Sequence, residues 1–409
     1  MKEKDKNIIT ILGGTHLHNL YHSTKDLKVN HVDYTIVGEA EESLPLFIEE
    51  LQKPNPNFEI ISGLNYIKDG KIFQNAPAFV EDIDKLPITD WSLVDLKSYP
   101  RSYLARKHPY APILTSRGCP YPCTFCSIPS ISGRKFRPRS PEKVVEEMKR
   151  LYELGVKEVM FWDDNFTLVR PRAMKICELL IKENMNLIWS CPQGVRIDLI
   201  DDEILAKMKQ SGCYYVSLGI ESGSNRVLQD MKKKITVEKI REKVPLIKKA
   251  GINSWGFFIL GYPTETKEDI LATINLSREI GLSRVSYHIY QPVPGTEAFD
   301  TFVTDKNIQW DKIKFSESIF PPKGMTANDL KNAQKKAFLK FYLRPNVLFK
   351  FIKDNLTINQ MNETFKMFKE YIIHKEAKDL GLDEPLVEMN TPASTAKTEE
   401  IMPKQHIEV

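Results

Sequence analysis

The sequence has no long hydrophobic run. Nowhere do about 18 apolar residues follow one another, so no segment reads as a spanning helix. It also lacks a signal-peptide core: behind Met1-Lys2-Glu3-Lys4-Asp5-Lys6, the stretch Ile8 to Leu12 is short and runs into Gly13-Gly14. An excess of one charge is nearly absent, since 58 basic and 54 acidic residues leave +4. So small a balance gives no electrostatic footprint for nucleic acid. There is no internal repeat beyond an alternation of strand and helix signals, and no low-complexity core. With 42% hydrophobic and 27% charged residues the composition is that of a soluble globular chain, which we expect in the cytosol. Cysteine is scarce as well. Six in 409 residues are too few for a disulfide scaffold, and a reducing cytosol would not maintain one.

The chain is long enough for two or three domains. From about residue 110 to 300 it alternates strand-like and helix-like segments. The strand candidates are 113–115, 158–162, 187–191, 214–220, 254–260 and 284–290. Ser140-Pro141 reads as an N-cap with Pro at the first helical position, and Gly155 as the stop of that helix. Thr266-Lys267-Glu268-Asp269 has capping-box spacing, with Gly281 closing the helix. Gly212 and Gly251 close two more helices just before strands. Six β-then-α units, recurring every roughly 30–45 residues, predict an α/β fold with a parallel sheet. That number suits an open (β/α)6 partial TIM-like barrel and not a closed eightfold one.

A smaller α/β piece precedes it, with strands at 8–12 and 34–37, a helix at 42–51 and a hairpin turn at Asp69-Gly70. We divide the chain into a partial Rossmann-like segment (1–75), a proline-dotted connector (76–110), the partial barrel (111–300), a helical C-terminal cap (301–385) and a loose, disordered tail (386–409). In the cap, Ala337, Phe338, Phe341 and Tyr342 form the expected apolar face.

The few cysteines are unevenly spread. Cys119, Cys123 and Cys126 fall within eight residues, in a Gly- and Pro-rich loop after the first barrel strand. A structural zinc site takes four protein ligands, and iron–sulfur clusters usually take four cysteines. This loop supplies three, and no Cys or His follows within ten residues of Cys126. A cubane on three cysteines would leave one iron open; a zinc completed by a distant ligand is the alternative. The loop sits at the C-terminal end of a barrel strand, where barrel enzymes place their chemistry. Cys177, Cys191 and Cys213 make no ligand pair and read as packing.

Other strand ends carry small and acidic residues in the same register: Asp163-Asp164-Asn165, Glu221-Ser222 within Gly219 to Ser224, and Gly261-Tyr262-Pro263-Thr264-Glu265. Carboxylates and amides suit an amino group and ribose hydroxyls, and glycines let backbone approach a base. Lys232-Lys233-Lys234 reads as a solvated basic run. Phe257-Phe258 and Tyr287-His288-Ile289-Tyr290 read as core, with alternate residues facing the barrel lumen, and Trp189 and Gln193 are weaker lumen candidates.

With CxxxCxxC and an aromatic, Phe125, before the last cysteine, residues 105–300 resemble the radical S-adenosylmethionine superfamily. The resemblance implies a 4Fe–4S cluster on Cys119, Cys123 and Cys126, with the open iron chelated by S-adenosylmethionine. Reduction would then cleave that cofactor to methionine and a 5′-deoxyadenosyl radical. It further implies that Asp163, Asp164 and Asn165 lie near the cofactor's amino group. Glu221 and Ser222 would lie on the ribose side, and Gly261, Pro263 and Glu265 near the adenine. Arg196 would meet the carboxylate or form a structural salt bridge.

A narrower resemblance, to the cobalamin-binding-domain class, rests on Gly13-Gly14-Thr15-His16, Val37-Gly38-Glu39-Ala40-Glu41, Asp163 to Phe166, Gly219 to Ser224 and Phe341 to Pro345. That class includes carbon methylases and the anaerobic magnesium-protoporphyrin ester cyclase. The expected function is therefore radical functionalisation of an unactivated carbon, by methyl transfer or by oxidative cyclisation. Cobalamin is a further cofactor to consider, but the Asp-x-His-x-x-Gly motif is absent and two βα units cannot enclose a corrin. His16, His18 and His22 do not replace that motif. The implied partners are a small-molecule substrate, an electron donor such as flavodoxin or ferredoxin, and a polypeptide completing the cobalamin domain. Nucleic acid and membrane spans are not expected. The alternatives are a non-catalytic Fe–S or zinc subunit and a tRNA-modifying radical enzyme.

Overall fold

The computed structural model describes residues 7–15, 17, 32–69, 71–102, 104–303, 319–345 and 347. Near the N-terminus β1 (Ile11–Leu12) runs parallel to β2 (Tyr34–Ile36). β3 (Leu64–Lys68) and β4 (Lys71–Gln74) follow antiparallel. The hairpin expected at Asp69-Gly70 joins Lys68 to Lys71, with Asp69 at φ +51°. The helix Ser43–Leu51 drops Phe47 onto Ile36, Ile61, Leu64 and Tyr66. His16, His18, His22, the cap beyond residue 347 and the tail lie outside the described residues.

Six parallel strands form the second sheet. β5 (Tyr110–Ile113) is one edge; β6 (Ser116–Arg117) and β7 (Arg137–Pro138) make a separate antiparallel pair. The sheet continues through β8 (Glu158–Phe161), β9 (Ile188–Val195), β10 (Cys213–Glu221), β11 (Asn253–Leu260) and β12 (Arg284–Ile289), in chain order. The helices between the strands pack against the sheet, as parallel βαβ crossovers require. The predicted (β/α)6 partial barrel is the fold observed. Helix signals are met at Pro141–Glu153, where Val144, Val145, Met148 and Leu151 are buried, and at Lys267–Glu279, where Thr266 and Asp269 complete both capping-box bonds. Among the described residues no helix is long and apolar enough to cross a membrane.

Three expectations are corrected. The first barrel strand is 110–113, not 113–115: Pro112, which has no N–H to donate, is tolerated because β5 is an edge. β9 continues past Cys191 to Val195, through Pro192. A register shift against β10 between Val216 and Leu218 accommodates the missing donor. Trp189 does not face the lumen. It is fully buried on the helix side, 4.7 Å from the Phe161 ring, and its Nε1 donates to the Ser211 carbonyl at 3.0 Å.

The alternation expected on β11 and β12 holds. Phe258 and Tyr287 stack at 5.4 Å in the helix-side core. Trp255, Phe257 and His288 form a separate line of rings on the other face, at 5.8 and 5.9 Å.

The helix Ala327–Tyr342 covers the β12 edge. Ala337, Phe338, Phe341 and Tyr342 are all buried. The Tyr342 hydroxyl accepts from Val285 N at 3.1 Å and donates to Val285 O at 2.9 Å. Both strand groups lose their partner in Tyr342→Phe, so urea unfolding should show a loss of about 1–3 kcal/mol. An unchanged midpoint would mean water replaces the hydroxyl.

Candidate functional site

The cysteine loop hangs from the β6–β7 ladder. Gly118 sits at φ +85°, and a Cβ there would lie 2.2 Å from the Lys135 carbonyl, so only glycine passes this point. Cys119 N then donates to Gly133 O at 3.2 Å. Farther along, Thr124 N donates to Met231 O at 3.1 Å and Thr124 O accepts from Ala298 N at 2.9 Å. The Thr124 hydroxyl meets the Tyr262 hydroxyl at 2.8 Å. Phe125 packs on Val227, Met231, Tyr262, Tyr290, Ala298 and Phe302. Residues after β10, β11 and β12 therefore pin one loop.

Cys119, Cys123 and Cys126 are half-buried and free. Burial raises the Cys119 thiol pKa, against the help of the Tyr121 N–H. Cys126 is pushed up to about 12, first by burial and also by the neighbouring Cys123 and Cys119 sulfurs. A positive centre bound at the loop would offset this burial cost for Cys119 and Cys126, since thiolates and not thiols are metal ligands. Among the described residues no three Cys, His, Asp or Glu side chains gather round one point as a single ion requires. A cubane instead takes one thiolate at each of three corners. The donor set fits a 4Fe–4S cluster with one iron left open.

Around this loop the structure brings together Asp164, Arg196 and Glu221, and one residue the sequence reading set aside. Asp164 accepts from Gly118 N at 3.0 Å and is pushed up to about 6, chiefly by burial. Arg196 is bound to Asp198 at 2.9 Å and to the Lys233 carbonyl at 3.1 Å, with its guanidinium 3.5 Å from the Tyr121 ring centre. The salt-bridge partner expected of Arg196 is Asp198. Glu221 ends β10 in left-handed geometry at φ +66° and pairs with Lys233 Nζ at 2.7 Å. Gly219 makes room: a Cβ there would sit 2.5 Å from the carboxylate and 2.8 Å from Nζ.

Lys233 corrects the expectation of a solvated basic run. Lys232 and Lys234 both take left-handed backbone, at φ +50° and +54°, and turn the middle lysine inward. Its side chain is 12% exposed and lies 5.7 Å from the Phe125 ring. Burial works against its charge, but Glu221 and Cys123 together outweigh this and hold its pKa above the ordinary lysine value. The only sequence signal was position, directly after a helix that follows β10.

The remaining candidates lie beneath as buried supports. Asp163 accepts from Thr115 N and Ser116 Oγ, both at 2.6 Å, and from the Thr115 hydroxyl. Asn165 is buried with Nδ2 unpartnered. Ser222 accepts from Ser224 N at 3.2 Å. Glu265 accepts from Gly261 N at 2.5 Å, keeps Oε1 buried without a partner, and is pushed up to about 8 chiefly by burial. Pro263 is buried, and Gly261 sits at φ +83° under Leu330. Beside the loop, a cleft of about 470 Å³ separates Gly38 to Glu41 and Leu44 from Leu114, Ser116, Arg117, Ile131, Ser132 and Asp164.

The sequence model of the radical SAM superfamily matches residues 113–277. An uncharacterized methyltransferase of Pyrococcus horikoshii is 31% identical over 357 residues, covering 85% of this chain and 75% of that protein. The anaerobic magnesium-protoporphyrin IX monomethyl ester cyclase of Rubrivivax gelatinosus is 26% identical over 387 residues, covering 93% and 69%. The structure of the radical S-adenosylmethionine methyltransferase TsrM from Kitasatospora setae, with cobalamin and a 4Fe–4S cluster bound, superposes at a TM-score of 0.59. It is 17% identical and covers 83% of this chain and 65% of that one. The chain thus spans 65% to 75% of the length of these proteins, and the last of them shows likeness of fold.

Proposed function

The chain belongs to the radical SAM superfamily, and from that premise we propose that Cys119, Cys123 and Cys126 hold its 4Fe–4S cluster beside a bound S-adenosylmethionine. It is a radical SAM enzyme; the assignment of residues and reaction is our own reading. Cluster and cofactor, when bound, supply reductive cleavage of the sulfonium and the radical chemistry that follows. The chain's residues orient and enclose them. Among the described residues Lys233 offers a buried ammonium beside the loop and would take the cofactor carboxylate, since Arg196 is already committed to Asp198 and Tyr121. Glu221, which keeps its pairing with Lys233, would accept from the ribose hydroxyls, and Asp164 would accept from the amino group. Asp163, Asn165, Ser222, Gly261, Pro263 and Glu265 hold the strand ends on which these groups stand.

The observation that carries this reading is the loop itself: three free thiols pinned by residues after β10, β11 and β12, with Lys233 and Arg196 next to them. The reaction proposed is functionalisation of an unactivated carbon. Methyl transfer is favoured by the methyltransferase relative, and oxidative cyclisation is the second reading, favoured by the cyclase whose similarity runs over 93% of the chain. Methyl transfer calls for cobalamin, and the cleft at Gly38 to Glu41 is where the N-terminal sheet faces the barrel. Two βα units do not enclose a corrin, and a polypeptide completing the sheet is the partner this reading asks for. The further expectations are a small-molecule substrate, a flavodoxin or ferredoxin as reductant, a cytoplasmic location, and the division at 75, 110 and 300.

Anaerobically reconstituted protein reduced with dithionite should release 5′-deoxyadenosine or S-adenosylhomocysteine. Cys123→Ala should abolish both products, and product formation that survives it would overturn the proposal. Corrin absorbance in the purified protein separates methyl transfer from a cobalamin-independent reaction.

A further inference from the structure

Gly38 stands at φ +98°, and a Cβ there would come within 3.2 Å of the Ala78 carbonyl. That close passage brings Glu39 of the N-terminal segment against the base of the cysteine loop. Its carboxylate is almost fully used. Oε2 accepts from Arg137 and from Val80 N, both at 2.7 Å. Oε1 accepts from Arg137 at 2.7 Å and faces Arg117 at 3.3 Å. The Arg137 side chain is 2% exposed and that of Glu39 is 9% exposed. The remaining Arg137 donors reach the carbonyls of Val80 and Ser132, at 2.5 and 2.7 Å. Burial opposes the charge on Glu39, yet the Arg137 and Val80 bonds hold its pKa below the ordinary glutamate value.

Arg117 and Arg137 are also directly paired residues of the β6–β7 ladder. Arg117 stands two positions before Cys119, and Ser132, whose carbonyl Arg137 holds, precedes the Gly133 that receives Cys119 N.

We propose that Glu39 is a positioning residue of the cysteine loop, fixing through Arg117 and Arg137 the ladder from which Cys119 hangs. The N-terminal sheet is then part of the cluster site as well as a neighbour of it. This rests on reading the three thiols as cluster ligands, but its first test does not. In reduced apoprotein, iodoacetamide labelling followed by mass spectrometry reports the opening of each thiol, and core residue Cys177 serves as an internal control. In Glu39→Ala, Cys119 should label about tenfold faster, as a loop freed of a buried ion pair opens more often, with Cys177 unchanged. Glu39→Gln keeps an oxygen for Val80 N and should fall between.

The second test is low-temperature EPR of the reconstituted, reduced protein, where both variants should shift the cluster signal. Equal Cys119 rates and superimposable spectra would overturn the proposal. If Glu39→Ala also exposes Cys177, its fold has failed and Glu39→Gln decides alone. A wild type that takes up no cluster would sink the reading of the thiols, while the labelling comparison still decides the role of Glu39.

Discussion

Lys233→Met should lower the free energy of unfolding by about 3–5 kcal/mol, because it strands a buried carboxylate. Among the described residues Glu221 has no other cation in an ion pair, and it is fixed in left-handed backbone at a β-bulge that gives it little room to withdraw. The ion pair itself is not the source of so large an effect. Taken together, two buried charges roughly balance their own desolvation, and only the removal of one partner exposes the full penalty. The double variant Lys233→Met, Glu221→Met should therefore recover most of the lost stability. It should not recover affinity for S-adenosylmethionine, which calorimetry on anaerobic, reconstituted protein should find weakened about 10–100-fold in both variants, the worth of a charge-assisted hydrogen bond. A loss of less than about 1 kcal/mol in the single variant would put the pair with exposed surface bridges. Full binding by the double variant would remove Lys233 from the cofactor's contacts.

The second large effect is a pH dependence. Glu265 is 2% exposed with a buried, unpartnered Oε1, and burial pushes its pKa from 4.5 to about 8. The folded chain therefore keeps a proton that the unfolded chain has released. Its contribution is fully present below about pH 4.5 and is lost as pH rises through about 8, a difference of about 5 kcal/mol. In Glu265→Gln the amide oxygen still receives Gly261 N and nothing ionises. Urea unfolding from pH 5 to 8.5 should show the variant gaining steadily on the wild type by about 4 kcal/mol. Asp164 and the other groups titrate in both proteins and cancel in the difference. Parallel curves would mean that Glu265 is ionised in the folded chain.

The fold was readable where local chemistry and global position agree. Gly155, Gly212 and Gly251, all at positive φ, mark helix ends just before strands. Thr266 and Asp269 name a helix start by their spacing alone. The three cysteines were readable because their spacing lies within one loop. What escaped depends on residues far apart or on backbone states that side chains do not announce. Lys233 lies inside because two lysines, not glycines, adopt left-handed geometry, and nothing in a run of three lysines signals that. Glu39 and Arg137 are 98 positions apart. Trp189 was assigned to the wrong face because Pro192 hid the continuation of β9, and a truncated strand conceals which of its alternating residues point to the helices.

The pinning of the cysteine loop has a consequence for the order in which the protein matures. The sheet grows in chain order, each strand pairing with the one made before it, so assembly can follow synthesis from the N-terminus. The three thiols emerge just after the first barrel strand, early in that sequence. Met231, Tyr262 and Ala298, which hold the loop, emerge much later, the last of them after all six strands. From Cys126 to Ala298 a nascent chain therefore carries these thiols without all of the residues that pin their loop. A cluster on these thiols would therefore find the residues that pin their loop in place only once the chain up to Ala298 has emerged and the barrel is built.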